Sequence, residues 1–339
     1  MEYKIEERTL HFKQPAGTSR GVYTTRKIWL IHLYDGNREG LGECAPLPDL
    51  SCDAMSDEQY EAKLRHFCEE LCCVGEIDVD SLRDYPSMRF SLETALLNLQ
   101  RGDRLFDTAF SRGEEGIPIN GLVWMGNYDE MLRRMEEKLQ KGFRCVKLKI
   151  GAIDFDQELD LVKRIRDRFS FHEVELRLDA NGAFPFEEAL YKLELLSQYA
   201  IHSIEQPIRQ GQWAYMAELC RESPLPIALD EELIGVNDAE MKRHMLNVIK
   251  PRYIILKPSL HGGMTGCREW IDAAREQGIG SWITSALESN IGLNAIAQFA
   301  SGVYGPHITM PQGLGTGQLF TDNIPMPLEI RGDQLWRCL

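Results

Sequence analysis

The sequence lacks the features that mark membrane, secreted and nucleic-acid-binding proteins. No apolar run approaches the roughly 20 residues that a membrane-spanning helix needs. Residues 1–10 (MEYKIEERTL) lack the basic and apolar regions of a signal peptide. Basic residues are few, because 38 Lys and Arg stand against 52 Asp and Glu and give a net charge of −14, which argues against a nucleic-acid or anionic-membrane partner. We therefore expect a cytoplasmic protein that acts on a small molecule.

Paired cysteine motifs and linkers are also missing. The nine cysteines are an odd number without any CxxC spacing, which indicates neither a disulfide framework nor a zinc site. No low-complexity segment divides the chain, and no segment indicates a protein partner. The 339 residues exceed the usual size of a single core, so we predict one large domain with a smaller companion.

The first hundred residues have the pattern of an α+β unit. Short strand-like runs such as residues 27–34 (KIWLIHLY) are followed by a turn-forming segment at residues 35–42. From about residue 57 to residue 101 the apolar residues recur at helical spacing. Residues 313–339 return to loop and strand character, and we expect them to pack back on this unit.

After Gly113 short apolar strands alternate with amphipathic helices, such as those predicted at residues 154–168 and 267–277. The candidate strands are residues 117–124, 143–150, 174–180, 201–207, 226–231, 253–258, 280–286 and a short one near 307–310. Eight strands separated by helices predict an α/β fold, a (β/α) barrel of the TIM type.

Charged residues end five successive strands of this predicted barrel. They are Lys149, Asp179, Glu205, Asp230 and Lys257, spaced by about one βα unit each. Residues at the carboxyl ends of parallel strands face the mouth of the barrel, where barrel enzymes have their sites. Three carboxylates on adjacent strands are hard oxygen ligands, so they predict a Mg²⁺ site, with Mn²⁺ as the alternative ion.

The lysines suggest a general base. Strands two and six lie opposite each other in an eight-stranded barrel, so Lys149 and Lys257 should face each other across the mouth. Lys147 and Lys149 lie on the same face of one strand, and each should disfavour the other's charge. This would lower a lysine pKa toward the range of a general base that removes a proton beside a metal-bound carboxylate.

Several neighbours of these residues have open roles. Arg177 and Asn181 alternate with Asp179, and they either orient that ligand or act as simple salt-bridge partners. Glu231 and Glu232 follow Asp230, and one of them could replace or supplement it, although strand alternation favours Asp230 or Glu232 pointing inward.

Two other classes of protein remain possible on these residues. A Schiff-base lyase barrel would also use a lysine, but it would not need three carboxylates. A non-catalytic scaffold barrel would be expected to have lost at least one of the five charges.

The motifs KLK (147–149), DAN (179–181), EQP (205–207), DE (230–231) and KP (257–258) resemble the enolase superfamily, specifically its muconate-lactonizing-enzyme subgroup. The resemblance covers essentially the whole chain. It implies an α+β capping domain at residues 1–105 with about 316–339, over a catalytic barrel at residues 113–315. It also implies that Lys149 is the base, and the acid that assists hydroxide departure, while Lys257 stabilises the enediolate.

Within the subgroup, residues 16–21 with 42–46, 285–293 and 313–324 resemble the dehydratases that convert a hydroxycyclohexadiene carboxylate to an aromatic acid. This implies a carbon–oxygen lyase acting on a small-molecule carboxylate. Racemisation of N-succinyl and other N-acyl amino acids, or dipeptide epimerisation, is the alternative, because these reactions begin with the same proton removal. The resemblance places substrate contacts at Gly17, Thr18, Ser19, Arg20, Ser285, Glu288, Ser289 and Gly315.

Overall fold

The amino-terminal unit is an antiparallel sheet covered by two helices. A computed structural model describes residues 1–18 and 21–338. The elements of this unit are strands β1 (Glu2–Thr18), β2 (Gly21–Asp35) and β3 (Arg38–Cys44) and helices α1 (Asp57–Val74) and α2 (Pro86–Arg101). Helix α2 packs directly on β3, since a Cβ atom at Gly40 or Gly42 would lie 2.1 Å from a backbone oxygen of that helix. Alternate residues of β2, including Ile31 and Leu33, are buried against the helices.

The following strands form one parallel sheet in sequence order. After the short β4 (Ile117–Pro118), its strands are β5 (Gly121–Val123), β6 (Cys145–Lys149), β7 (Glu175–Asp179), β8 (Ser203–Glu205), β9 (Ile227–Leu229), β10 (Tyr253–Leu256) and β11 (Gly280–Ile283). The helices between and after them are α3 (Tyr128–Gln140), α4 (Phe155–Arg168), α5 (Phe186–Ser197), α6 (Trp213–Glu222), α7 (Ala239–Ile249), α8 (Gly263–Glu276) and α9 (Asn290–Tyr304). The strands are buried on both faces, as parallel strands covered by helices require.

The barrel closes at a different place from the one predicted. The prediction of an eighth strand near residues 307–310 is wrong, because residues 312 and 313 close the barrel. Gln312 bridges Ile119 and Gly313 bridges Thr284, both in parallel pairing. Glycine is needed here, since a Cβ atom on Gly313 would lie 2.0 Å from the hydroxyl oxygen of Thr284. The first predicted strand, at residues 117–124, is also divided into β4 and β5.

The carboxyl-terminal segment runs between the two ends of the barrel. Near the cap, the amide of Lys13 donates to Leu319 O at 2.8 Å, and the rings of Phe12 and Phe320 lie 4.5 Å apart. The segment ends in strands β12 (Leu328–Arg331) and β13 (Gln334–Arg337), and β13 pairs with β4. The expectation that this segment packs on the amino-terminal unit is therefore wrong for its final hairpin. The boundaries of the two domains stay a prediction.

Residues 1–18 and 21–338 contain no helix that is both long and apolar enough to cross a membrane.

Candidate active site

Two lysines and two carboxylates from neighbouring strands form the centre of the site. The strand register sets Lys149 beside Asp179, and Asp179 beside Glu205. The Nζ atom of Lys147 lies 2.8 Å from Asp179 Oδ2 and 2.6 Å from Glu205 Oε2. Lys149 Nζ lies 3.0 Å from the same Asp179 oxygen. Both carboxylates are almost fully buried, so the ammonium groups supply their charge compensation.

Across the site, Lys257 follows β10 and its Nζ atom donates to Asp230 Oδ2. Lys149 and Lys257 line the same cavity. The structure therefore brings together the five charged residues that the sequence places at the ends of successive strands.

The lysine pKa values differ from the prediction. Burial lowers the pKa of Lys147, but the carboxylates of Asp179, Glu205 and Asp230 outweigh it and hold that pKa well above its usual value. Burial also lowers the pKa of Lys257, but Asp230 and other carboxylates outweigh this effect and raise that pKa. The predicted mutual lowering is therefore wrong for Lys147, because the carboxylates on the adjacent strands affect its pKa more than the neighbouring lysine does.

Asn181 joins the proposed base to an acidic neighbour. Its Oδ1 atom accepts a hydrogen bond from Lys149 Nζ at 2.7 Å, and its Nδ2 donates to Glu231 Oε1 at 2.9 Å. Its own amide donates to Asp179 Oδ1 at 3.1 Å. The Asn181 side chain thus fixes the direction of the lysine amine, and its backbone amide bonds to Asp179, which favours the alternative in which Asn181 orients that carboxylate.

Glu231 lines the cavity, whereas Glu232 points away from it. Glu232 accepts hydrogen bonds from Gln206 Nε2 at 2.9 Å and from the amide of Gly211 at 2.7 Å. Strand alternation predicted that Asp230 or Glu232 points inward. Asp230 does so, since it is bonded to Lys257, but the prediction is wrong for Glu232, because β9 ends at Leu229 and a 3-10 turn starts at Glu231. Side chains no longer alternate between two faces beyond the end of the strand.

Arg177 makes contacts one layer below the carboxylates. Its Nε atom lies 2.7 Å from Glu175 Oε1, and its guanidinium group donates to Pro311 O at 2.9 Å. The same group lies over the ring of Trp282, 4.4 Å from the ring centre. These contacts favour the salt-bridge alternative for Arg177.

Lys147, Lys149, Asp179, Glu231 and Lys257 form the charged floor of a cavity of about 610 Å³. Apolar residues of the amino-terminal unit and of the barrel loops form much of its wall. They include Phe12, Ala16, Tyr23, Leu47, Leu50, Trp124, Leu287 and Leu319. A cavity with a charged floor and an apolar wall fits a small carboxylate that carries a hydrocarbon body.

The predicted substrate contacts divide into four groups, three of which are described first. Ser285 and Gly315 line the cavity, and Ser285 Oγ lies 2.6 Å from Thr316 Oγ1. Gly17 and Thr18 end β1 and pair with β2. Ser19 and Arg20 lie outside the described residues.

Glu288 and Ser289 are the predicted contacts that the structure contradicts. Both are 0% exposed. Glu288 accepts hydrogen bonds from Ser259 Oγ and from the amide of Ala286, and Ser289 donates to Glu43 of the amino-terminal unit. These two side chains therefore hold the loop after β11 in place, behind the residues that face the cavity.

The apolar wall was missed by the sequence analysis. Tyr23, Leu47 and Leu50 have the pattern of ordinary core or loop residues, and no local signal in the sequence distinguishes a residue of the cavity wall from a core residue. Only for Trp124 was a signal available, because it lies two residues beyond Leu122, which pairs with the inward-facing Lys147.

Some of the buried carboxylate oxygens are available to bind a cation. Glu205 Oε1, Asp230 Oδ1 and Glu231 Oε2 are buried oxygens without a hydrogen-bond partner among the described residues. Among residues 1–18 and 21–338, no group of three or more His, Cys, Asp and Glu side chains is arranged to hold a metal ion, and the Lys147 ammonium group lies between Asp179 and Glu205. Unpaired carboxylate oxygens in a buried acidic group fit a hard divalent ion.

Comparisons with known proteins identify the family. The family described as Enolase C-terminal domain-like matches residues 130–332, and the one described as MenC, N-terminal domain matches residues 18–99. The chain is 47% identical to an o-succinylbenzoate synthase of Desulfotalea psychrophila, over 99% of this chain and 98% of that protein. The chain belongs to the o-succinylbenzoate synthase family of the enolase superfamily. The predicted carbon–oxygen lyase class is thereby confirmed.

Solved structures confirm the barrel with its cap. The crystal structure of MenC from Desulfotalea psychrophila has 43% identity and a TM-score of 0.83, and the match covers 99% of both chains. The L-Ala-D/L-Glu epimerase of Bacillus subtilis has a TM-score of 0.83 over 99% of this chain and 96% of that one, but at 19% identity it supports the fold alone. An N-succinylamino acid racemase of Amycolatopsis is 25% identical over 95% of this chain and 88% of that protein.

Proposed function

We propose that this protein carries out the Mg²⁺-assisted syn dehydration of 2-succinyl-6-hydroxy-2,4-cyclohexadiene-1-carboxylate to o-succinylbenzoate in menaquinone biosynthesis. The observation that carries the proposal is that Lys149 and Lys257 line one cavity and that each is paired with a buried carboxylate, Asp179 and Asp230 respectively, in a chain that shares 47% identity with a synthase of that name.

Lys149 is the base and acid of the reaction. It removes the proton from the carbon next to the ring carboxylate, and the electron pair of that C–H bond forms the enediolate. When the pair returns to the ring, the C–O bond to the hydroxyl group breaks and Lys149 gives its proton to the leaving oxygen, so that water departs. Asn181 and Asp179 support this role, since they hold the lysine Nζ at 2.7 Å and 3.0 Å.

Lys257 supplies fixed positive charge. Its ammonium group is bonded to Asp230 and lies in the same cavity as Lys149. Such a charge stabilises the enediolate more than it stabilises the carboxylate of the substrate, because the negative charge increases as the proton leaves.

Asp179, Glu205 and Asp230 would hold the Mg²⁺ ion. The unpaired oxygens of Glu205 and Asp230 support this assignment. When bound, a divalent ion neutralises charge on the substrate carboxylate.

Racemisation of N-succinyl amino acids is the second candidate. The relative from Amycolatopsis with that name and the two lysines in one cavity favour it. The apolar wall from the cap suits the hydrocarbon ring of the cyclohexadiene substrate, and the much higher identity to a synthase supports dehydration as the main reaction.

The test gives the purified protein both substrate classes with Mg²⁺. Dehydration is followed by the change in ultraviolet absorbance as the aromatic ring forms, and racemisation by exchange of the α-hydrogen in heavy water. We expect kcat/KM to be higher for the cyclohexadiene. A higher kcat/KM for N-succinyl amino acids would refute dehydration as the main reaction and leave the proton-removal mechanism intact.

A further inference from the structure

Helix α8, which starts six residues after Lys257, has no capping side chain of its own. The residue before it is Gly262, with a φ of +86° and no side-chain hydrogen bond to the helix. The first amides of a helix have no partner within the helix, and an unpaired buried amide is costly. The acceptor comes instead from the cap, because Glu93 Oε2 of helix α2 accepts from the amides of Met264 at 2.6 Å and Thr265 at 3.3 Å.

Glu93 is held rigidly in this position. It is 8% exposed, and its Oε1 atom lies 3.2 Å from Nε of the buried Arg89. A Cβ atom on Gly263 would lie 2.5 Å from Glu93 Oε2, so the glycine allows the close approach. The contact is therefore a built connection between the cap and the barrel.

The same helix start is joined to Lys257 by a continuous set of hydrogen bonds, which are backbone bonds except for one to the His261 side chain. The amide of Lys257 donates to His261 Nδ1 at 2.8 Å, and its carbonyl oxygen accepts from the amides of Leu260 at 2.8 Å and His261 at 3.0 Å. The amide of Gly263 then donates to Pro258 O at 2.9 Å. A shift of the start of α8 would therefore be passed on to the backbone that carries the Lys257 side chain.

A second carboxylate of the cap accepts hydrogen bonds at the start of the next helix, α9, where the Ser289 side chain also accepts from the amide of Ile291. Glu43 of β3 accepts from the amides of Ser289 at 2.7 Å and Gly292 at 2.8 Å, at the start of α9. The loop before α9 carries Ser285 and Leu287, which line the cavity. Glu43 thus anchors a loop of the substrate wall, whereas Glu93 anchors the loop of a catalytic lysine.

We propose that Glu93 is a positioning residue that sets Lys257 through the start of α8, and that Glu43 sets the wall loop through the start of α9. The cap then supplies hydrogen-bond acceptors to the starts of two barrel helices as well as covering the cavity. Carboxylates suit both places, since the amino end of a helix favours negative charge. The expected effect on turnover rests on the proposed function, because Lys257 stabilises the enediolate there.

The experiment compares Glu93→Ala and Glu43→Ala with the wild type. We expect Glu93→Ala to lower kcat roughly tenfold with KM unchanged within about twofold, because a displaced catalytic group loses transition-state stabilisation. Glu43→Ala should mainly raise KM, because it loosens the wall. Glu93→Gln keeps one oxygen acceptor, and we expect it to recover most of the lost kcat.

Glu269→Ala is the matched control. Glu269 lies further along α8 and pairs with Lys242, so its loss weakens the helix contacts without releasing the first amides. We expect it to change kcat less than Glu93→Ala does. Equal losses of kcat in the two variants would overturn the proposal, as would an unchanged kcat or a rise in KM alone in Glu93→Ala.

Hydrogen exchange supplies a readout that needs no substrate. In Glu93→Ala, the amides of residues 257–265 should exchange faster, while the amides of residues 285–292 should be unchanged, and Glu43→Ala should show the reverse. Unchanged exchange in residues 257–265 of Glu93→Ala would overturn the coupling. A wild type that does not dehydrate the cyclohexadiene would instead refute the proposed function.

Discussion

Replacing Lys147 by methionine tests the charge balance of the site. The lysine side chain is 11% exposed, and its ammonium group lies within 2.8 Å of both Asp179 and Glu205. Methionine keeps an unbranched apolar side chain but removes the charge. Removing one partner of a buried ion pair costs about 3–5 kcal/mol, because the remaining charge stays buried. Asp179 retains Lys149 at 3.0 Å, whereas Glu205 Oε2 loses its lysine, so we expect most of the cost at Glu205.

A divalent ion should restore part of this loss. The ion supplies the positive charge that the variant lacks, and it binds the folded carboxylates only. Binding at one hundred times its dissociation constant stabilises a folded protein by about 2.7 kcal/mol. We therefore expect urea unfolding of Lys147→Met to show a loss of about 3–5 kcal/mol without Mg²⁺. With saturating Mg²⁺, the difference in the free energy of unfolding between the variant and the wild type should be clearly smaller.

Lys242→Met is the control for this measurement. Lys242 is also buried, and its Nζ atom lies 2.7 Å from Glu269 and 3.1 Å from Gly266 O, outside the active site. Its replacement should also destabilise the protein, but Mg²⁺ should not reduce the difference in the free energy of unfolding from the wild type. Equal stabilisation of both variants by Mg²⁺ would refute the reasoning, and so would a Lys147→Met variant that unfolds at the urea concentration of the wild type.

Three further predictions concern metal, proton transfer and pH. Chelation should abolish dehydration and added Mg²⁺ should restore it, so full turnover after exhaustive chelation would contradict the metal assignment. Lys149→Ala should lower kcat by about 10²–10⁴-fold, and Lys257→Ala by about 10²–10³-fold; α-hydrogen exchange in heavy water should stop only in Lys149→Ala. Burial raises the pKa of Asp53 to about 6 from its usual 3.8, despite hydrogen bonds from Ser87. This carboxyl therefore costs stability as pH rises from about 4 to 6, by up to about 3 kcal/mol. Urea unfolding of Asp53→Asn should lose this slope, whereas the exposed control Asp167→Asn should keep it.

The sequence predicts the parts of the site that follow from strand period. Lys149, Asp179 and Glu205 end neighbouring strands, and the parallel register sets them side by side. This spacing repeats along the chain, so it can be read without knowledge of long-range contacts. The resemblance of the motifs to a known superfamily adds the cap and the division of roles.

Features that depend on contacts between distant segments could not be predicted in this way. The raised pKa of Lys147 depends on carboxylates from three other strands. The burial of Glu288 and Ser289 depends on Ser259 and on Glu43 of the cap. Glu231 faces the cavity because β9 ends two residues earlier, and strand boundaries are the least certain part of any pattern-based prediction.

The barrel is closed by segments that lie far apart in the sequence, and this has a consequence for protein synthesis. Ile117 pairs with Leu335, and Ile119 bridges Gln312, so the first barrel segment leaves the ribosome long before its partners do. Until then β5 is an open sheet edge, and such edges pair readily with other chains. The strands and helices of the cap contact one another locally in sequence, so they can assemble first. Closure of the barrel is then the late step, and a nascent chain that stalls before residue 312 keeps an edge on which aggregation can start.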